Sequence, residues 1–141
     1  MKKMIFIFLT TIFINYAYSQ SFSASQLLNM VNSKNKDFVI ESSTSKGFEY
    51  ESNKSEYNVS VVLYSLKGKY GQEEIGVMKS DELFGVIYQS TKVFYSALKE
   101  KLLTEDFVYV YSGGGNKYYE NHKMRIGVND NAGIISLFVA K

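Results

Sequence analysis

An α+β domain is predicted for this chain: an antiparallel sheet of about six or seven strands, with helices mainly on one face. Three observations carry that expectation. Side chains alternate with a period of two through most of the stretch from Phe48 to Ala140. The chain is rich in tyrosine, which suits strands with one dry face and one wet one, and it contains neither proline nor tryptophan. Helical signals are confined to two short stretches before Gly47, the second marked by its ends and not by spacing, and one near the middle.

The elements follow in order. Residues 25–33 (SQLLNMVNS) place Leu27, Leu28 and Val31 on one side of a helix, with Ser23 or Ser25 as cap. Residues 37–46 (DFVIESSTSK) read as a second helix between an Asp37 cap and a Gly47 terminator. The run Ser42-Ser43-Thr44-Ser45 favours helix only weakly and leaves a strand as the alternative. Strands are predicted over Phe48–Ser52 and Tyr57–Leu66, joined by a polar turn at residues 53–56. Two more follow at Glu73–Met78 and Leu83–Gln89. The clearest helix spans Thr91–Leu103, with a stripe of Phe94, Ala97, Leu98 and Leu102 and a cap at Ser90 or Thr91. Three strands complete the chain: Phe107–Tyr111, Tyr118–Val128 and Gly133–Ala140. The turns between them are Gly113-Gly114-Gly115-Asn116 and Asn129-Asp130-Asn131-Ala132.

The first residues have another character. Lys2 and Lys3 precede an apolar run from Met4 to Ile14, and Ala17-Tyr18-Ser19 places small residues where a signal peptidase reads them. This predicts a signal peptide over residues 1–19, cleaved after Ser19, and a single domain over residues 20–141. The expected localisation is secreted or periplasmic. The apolar run is about half of the roughly 20 residues a membrane helix requires, so no integral anchor is expected after cleavage. The chain has no cysteine, which excludes a disulfide scaffold and a lipid-anchored cysteine. The formal charge of +2 comes from Lys2 and Lys3, and without them 14 acidic groups are balanced. A neutral domain with no basic cluster gives no reason to expect nucleic acid as a partner.

The two halves run in parallel. A helical stretch ending at Gly47 leads into Phe48-x-Tyr50, and one ending near Asp106 leads into Phe107-x-Tyr109. A tandem αβββ unit is predicted. Lys46-Gly47-Phe48, a signal ending before Gln20, and tyrosine-rich strands resemble small exported proteins of Bacteroidota-type bacteria. The tandem architecture resembles the β-lactamase-inhibitor-like fold. That resemblance implies a binding or inhibitor-like protein and supplies no catalytic residue.

Candidate chemistry is sparse. His122 is the single histidine; it shares a strand face with Glu120, and Arg125 lies three residues on. Glu120, His122 and Arg125 are therefore the candidate site of a small hydrolase or ligand-binding protein. One imidazole without cysteine is too few ligands for a zinc site, and no cofactor motif is present. The glycines at 113–115 lack the spacing of a phosphate loop and read as a hairpin turn. The feature of greatest weight is an excess of apolar residues in the sheet. With Tyr109 and Tyr111 facing the helices, the outer face is predicted to carry Val62, Tyr64, Val108, Val110, Leu137 and Val139. Such a face marks either self-coverage or a surface for a protein partner or for self-association. The leading expectation is a non-enzymatic exported binding protein. The alternatives are the Glu120/His122/Arg125 site and a structural component of the cell envelope.

Overall fold

The computed structural model describes residues 21–141. The predicted leader and its cleavage after Ser19 lie outside the described residues. Helix α1 (Ala24–Ser33) starts from a capping box. The Ser23 hydroxyl accepts from the Gln26 amide at 3.2 Å, and the Gln26 side chain accepts from the Ser23 amide at 2.9 Å. It buries Leu27, Met30 and Val31. Helix α2 (Lys36–Thr44) is capped by Asn35 and not by the predicted Asp37; the Asn35 Oδ1 accepts from the Asp37 and Phe38 amides. The serine run stays helical because its hydroxyls bond back onto the helix. Ser42 donates to Phe38 O and Ser43 to Val39 O, each at 2.7 Å.

Among the described residues, eight strands form one sheet: β1 (Glu49–Glu56), β2 (Val59–Gly68), β3 (Gly71–Lys79), β4 (Leu83–Gln89), β5 (Val108–Gly113), β6 (Asn116–Glu120), β7 (Arg125–Asn129) and β8 (Ile134–Ala140). Their order is β1-β2-β3-β4-β8-β7-β6-β5, every neighbouring pair antiparallel. Helix α3 (Lys92–Leu102) carries the chain from the centre of the sheet to its far edge, and the second meander returns to pair β8 with β4.

Eight strands replace the expected six or seven because the stretch 118–128 is two strands. Asn121 breaks it. Its Oδ1 accepts from the Lys123 and Met124 amides, each at 2.9 Å, and folds residues 121–124 into a turn. The β1–β2 hairpin is also displaced. β1 runs on to Glu56, and the turn is Tyr57-Asn58, both left-handed at φ 48° and 65°. Asparagine takes that conformation readily, and the tyrosine, 91% exposed, goes with it.

The core is built from one parity of the sheet. Val62, Val77, Val86, Leu137, Ile126 and Tyr119 are successive cross-strand neighbours from β2 to β6. All but Tyr119 are buried. Most of them join Leu27, Val31, Val39, Leu98 and Leu102 of the helices in a single cluster. α1 rests on β4 and β8, and α2 on β3. α3 turns Tyr95 inward, not the predicted Phe94, and leaves Ala97 exposed. The Tyr95 hydroxyl donates to Asp130 Oδ1 at 2.8 Å, and Lys99 Nζ lies 2.7 Å from the same oxygen. Lys99 and then Tyr95 hold the Asp130 carboxyl below the usual carboxylate range. Burial, with Asp130 beside it, raises the Tyr95 phenol.

A second polar tie closes the N-terminal end. Glu73 is 6% exposed and accepts from the Ser21 amide at 3.1 Å, from the Ser21 hydroxyl at 2.7 Å and from the Tyr88 hydroxyl. Burial and then Glu73 push the Tyr88 phenol upward. A buried carboxylate is tolerated where donors converge on it in this way.

Candidate functional site

The opposite parity of the sheet is built differently. Its successive cross-strand neighbours from β3 to β5 are Gly76, Ile87, Ser136, Gly127, Tyr118 and Tyr111. Two glycines and a serine occupy positions that hold valines, leucine and isoleucine on the core side. Beside this row run Met78, Gly85, Phe138, Arg125 and Glu120, again each opposite the next.

Two of these glycines have a specific steric task. A Cβ at Gly85 would stand 2.7 Å from Phe138 Cδ1, and one at Gly127 would stand 2.8 Å from Tyr118 Cε1. Each aromatic ring lies over the glycine directly across from it, where any side chain would lift it. The rings therefore stay close to the sheet and leave space above.

That space is a hollow of about 660 Å³ at the ends of β4 and β8 and beside the β6–β7 turn. Met78, Leu83, Tyr111, Tyr118, Met124 and Phe138 supply its apolar and aromatic wall. Glu82, Glu120, Asn121, His122, Lys123 and Arg125 supply its polar rim. Every lining residue belongs to a strand or to a connector between strands.

The rim is ordered by three contacts. Arg125 pairs with Glu120 through its Nε and a terminal nitrogen, both on Oε1. Its guanidinium lies 5.6 Å from the Tyr111 ring centre, in cation–π contact. Tyr111 in turn stacks on Tyr118 with centres 4.7 Å apart and planes 22° from parallel. The turn is pinned from outside by Asn121, whose Nδ2 donates to Asp106 at 2.7 Å. Thr104 and then Asn121 hold the Asp106 carboxyl below its ordinary range.

The sequence candidates divide sharply. Glu120, His122 and Arg125 do meet at one hollow. They do not form an acid–base pair, because the Glu120 carboxylate is engaged by Arg125 and His122 is exposed with no hydrogen bond or ion pair among the described residues. The predicted outer face is not assembled. Leu137 and Val139 are 1% and 5% exposed in the core, and Val62 is buried on the same side. Tyr64 packs against that core with its ring edge-on to Tyr50 at 5.8 Å. Val108 and Val110 are exposed, but on the edge strand β5. The cause is register. A bulge between Tyr109 and Tyr111 sends Tyr109 to the core side beside Tyr119 and Tyr111 to the hollow beside Tyr118. Val108, opposite Glu120, and Tyr109 keep their expected sides, and the β5 alternation changes phase only after the bulge; in β8 the sides are reversed throughout, because both of its parities are apolar.

The wall residues Met78, Tyr118 and Phe138 escape the sequence reading. The one signal for the two rings is the pairing of each with a glycine across the ladder, which exists only once the register is known. Comparison with family models, with curated proteins and with solved structures returns no match.

Proposed function

We propose that this chain is an exported, non-enzymatic binding protein that receives an apolar anchor of a protein partner in the hollow of its sheet. The helices cover the core side, and the glycine-lined side is the working surface. The observation that carries this reading is the composition of the hollow. Tyrosine, phenylalanine, methionine and arginine line it, and these are the residues enriched at protein interfaces. Paired charge sits at the rim and the rings at the floor, the layout of a pocket that takes a buried hot-spot side chain.

An inhibitor-like role is one form of this reading, in keeping with the resemblance to the β-lactamase-inhibitor-like fold. We read the chain as a duplicated unit of a helix and four strands, one strand longer per half than the sequence alone suggests. The Tyr50–Tyr64 and Tyr109–Tyr119 edge-on ring pairs at corresponding positions support the duplication.

A second reading has its own observation. Glu120, His122 and Arg125 converge on the hollow, so a small acidic molecule held by the His122–Lys123 side is the rival occupant. Photo-crosslinking in cells of the source organism separates the two. A photoreactive residue at position 78 or 138 is expected to capture a discrete protein that a probe at Ser55 on β1 does not. Equal labelling at all three positions, or none, would remove the protein-partner reading.

A further inference from the structure

Among the described residues the sheet ends on two strands, β1 and β5, and these are not alike. β1 presents Glu49, Glu51, Lys54 and Glu56 along its length. Charges on an edge discourage pairing with another chain, because each would have to be desolvated beside a foreign backbone. β5 reads Val-Tyr-Val-Tyr-Ser-Gly, has no charged side chain, and is exposed at all six residues. Val108, Tyr109, Val110 and Tyr111 are 67%, 53%, 46% and 42% exposed, the longest consecutive run of exposed large hydrophobics among the described residues.

We infer that β5 is a self-association edge, and that two copies of this chain join there as an antiparallel β5–β5 pair about a two-fold axis. Charge selects the occupant. A second β5 sets uncharged residues opposite uncharged residues. The other edge a second copy can offer is β1, which would bring three carboxylates against valine and tyrosine. β1–β5 pairing would also be head-to-tail and would propagate without closing, whereas β5–β5 closes on itself. The paired strands would continue the sheet through the axis and bring the Tyr111–Tyr118 stacks of both copies to the junction.

Size sets the strength. A six-residue strand junction is about 20 Å long. It buries on the order of 1,000 Å² in total with its flanking rings, the low end of specific interfaces. The dimer is therefore expected to be reversible, with a dissociation constant on the order of micromolar to tens of micromolar. The bulge at Tyr109–Tyr111 works in the same direction, since it interrupts the ladder at mid-strand.

Sedimentation velocity on the purified protein, from about 1 to about 500 µM, tests this. The expected result is a monomer–dimer equilibrium that Val108→Lys and Val110→Lys each weaken at least about tenfold. Ser55→Lys on β1 is expected to leave it unchanged. A monomer across the whole range overturns the inference, as does a dimer indifferent to both β5 variants or open-ended assembly sensitive to Ser55→Lys. Deuterium exchange provides a readout that needs no variant. The β5 amides of the wild-type protein are expected to slow as concentration rises. If they slow only when cell-envelope extract is added, the edge belongs to a strand of another protein and not to a second copy.

Discussion

The two faces of this sheet share one backbone and are built to opposite rules. On the core side, Val77, Val86, Leu137 and Ile126 lie side by side and fill the space beneath the helices. On the other side, the neighbouring positions are Gly76, Ile87, Ser136 and Gly127, and aromatic rings lie over two of the sheet's glycines. Bulk in register makes a core. Its absence in register, beside rings that can lie down, makes a hollow. The difference lies in which small residues stand opposite which large ones, since both faces carry apolar side chains.

That contrast can be broken most forcefully by equal truncation on adjacent residues. Leu137→Ala removes a fully buried side chain and is expected to cost about 2–5 kcal/mol, whereas Phe138→Ala, half-buried on the open side, is expected to cost clearly less, roughly 1–2 kcal/mol. Urea unfolding of the two variants reads the difference. Equal losses would mean that the open face is covered in the folded protein and that the hollow is not a surface.

A smaller effect sharpens the role of the glycines. Gly127→Val puts a side chain where Tyr118 now lies, and is expected to cost about 1–3 kcal/mol by crowding. It should also release Tyr118 from its stack on Tyr111, with a change in tyrosine fluorescence and in the near-ultraviolet circular dichroism. Unchanged stability together with an unchanged spectrum would show that the ring does not depend on the glycine.

The smallest expected effect concerns the polar ties. Asp130 anchors α3 to the turn before β8, and its carboxyl is held below the ordinary range by Lys99 and Tyr95. A lowered carboxyl pKa adds stability that is fully present above the unfolded carboxylate value of about 4. It is lost as the pH falls through the lower folded value. Asp130→Asn is therefore expected to destabilise by under about 1 kcal/mol near neutrality, because the pair is solvent-screened. The gap between variant and wild type should narrow only on acidification below pH ~4. A gap that widens in acid would reverse the assignment.

Much of this architecture was legible in the residues. The period of two, the tyrosines and the caps predict an antiparallel α+β domain, with α2 carried by local signals despite its serine run. Two failures are instructive. Asn121 reads as an ordinary strand residue until its side chain is seen bonding the Lys123 and Met124 amides. The bulge in β5 carries no sequence mark at all, and it reverses the direction of Tyr111. A period-two pattern reports that residues alternate. It does not report which parity meets the helices when both parities are apolar, as in Ile134–Ala140.

The chain by itself determined most of its element types and its balanced charge after the first 19 residues. These are local properties, set by spacing, capping and near neighbours in sequence. The tertiary structure decided the rest: that Leu137 and Val139 are core, that Phe138 and Tyr118 lie over Gly85 and Gly127, and that β5 is an edge. The physical reason is that each depends on cross-strand register. Register is settled by packing between residues far apart in sequence, and a single bulge shifts it for every side chain that follows.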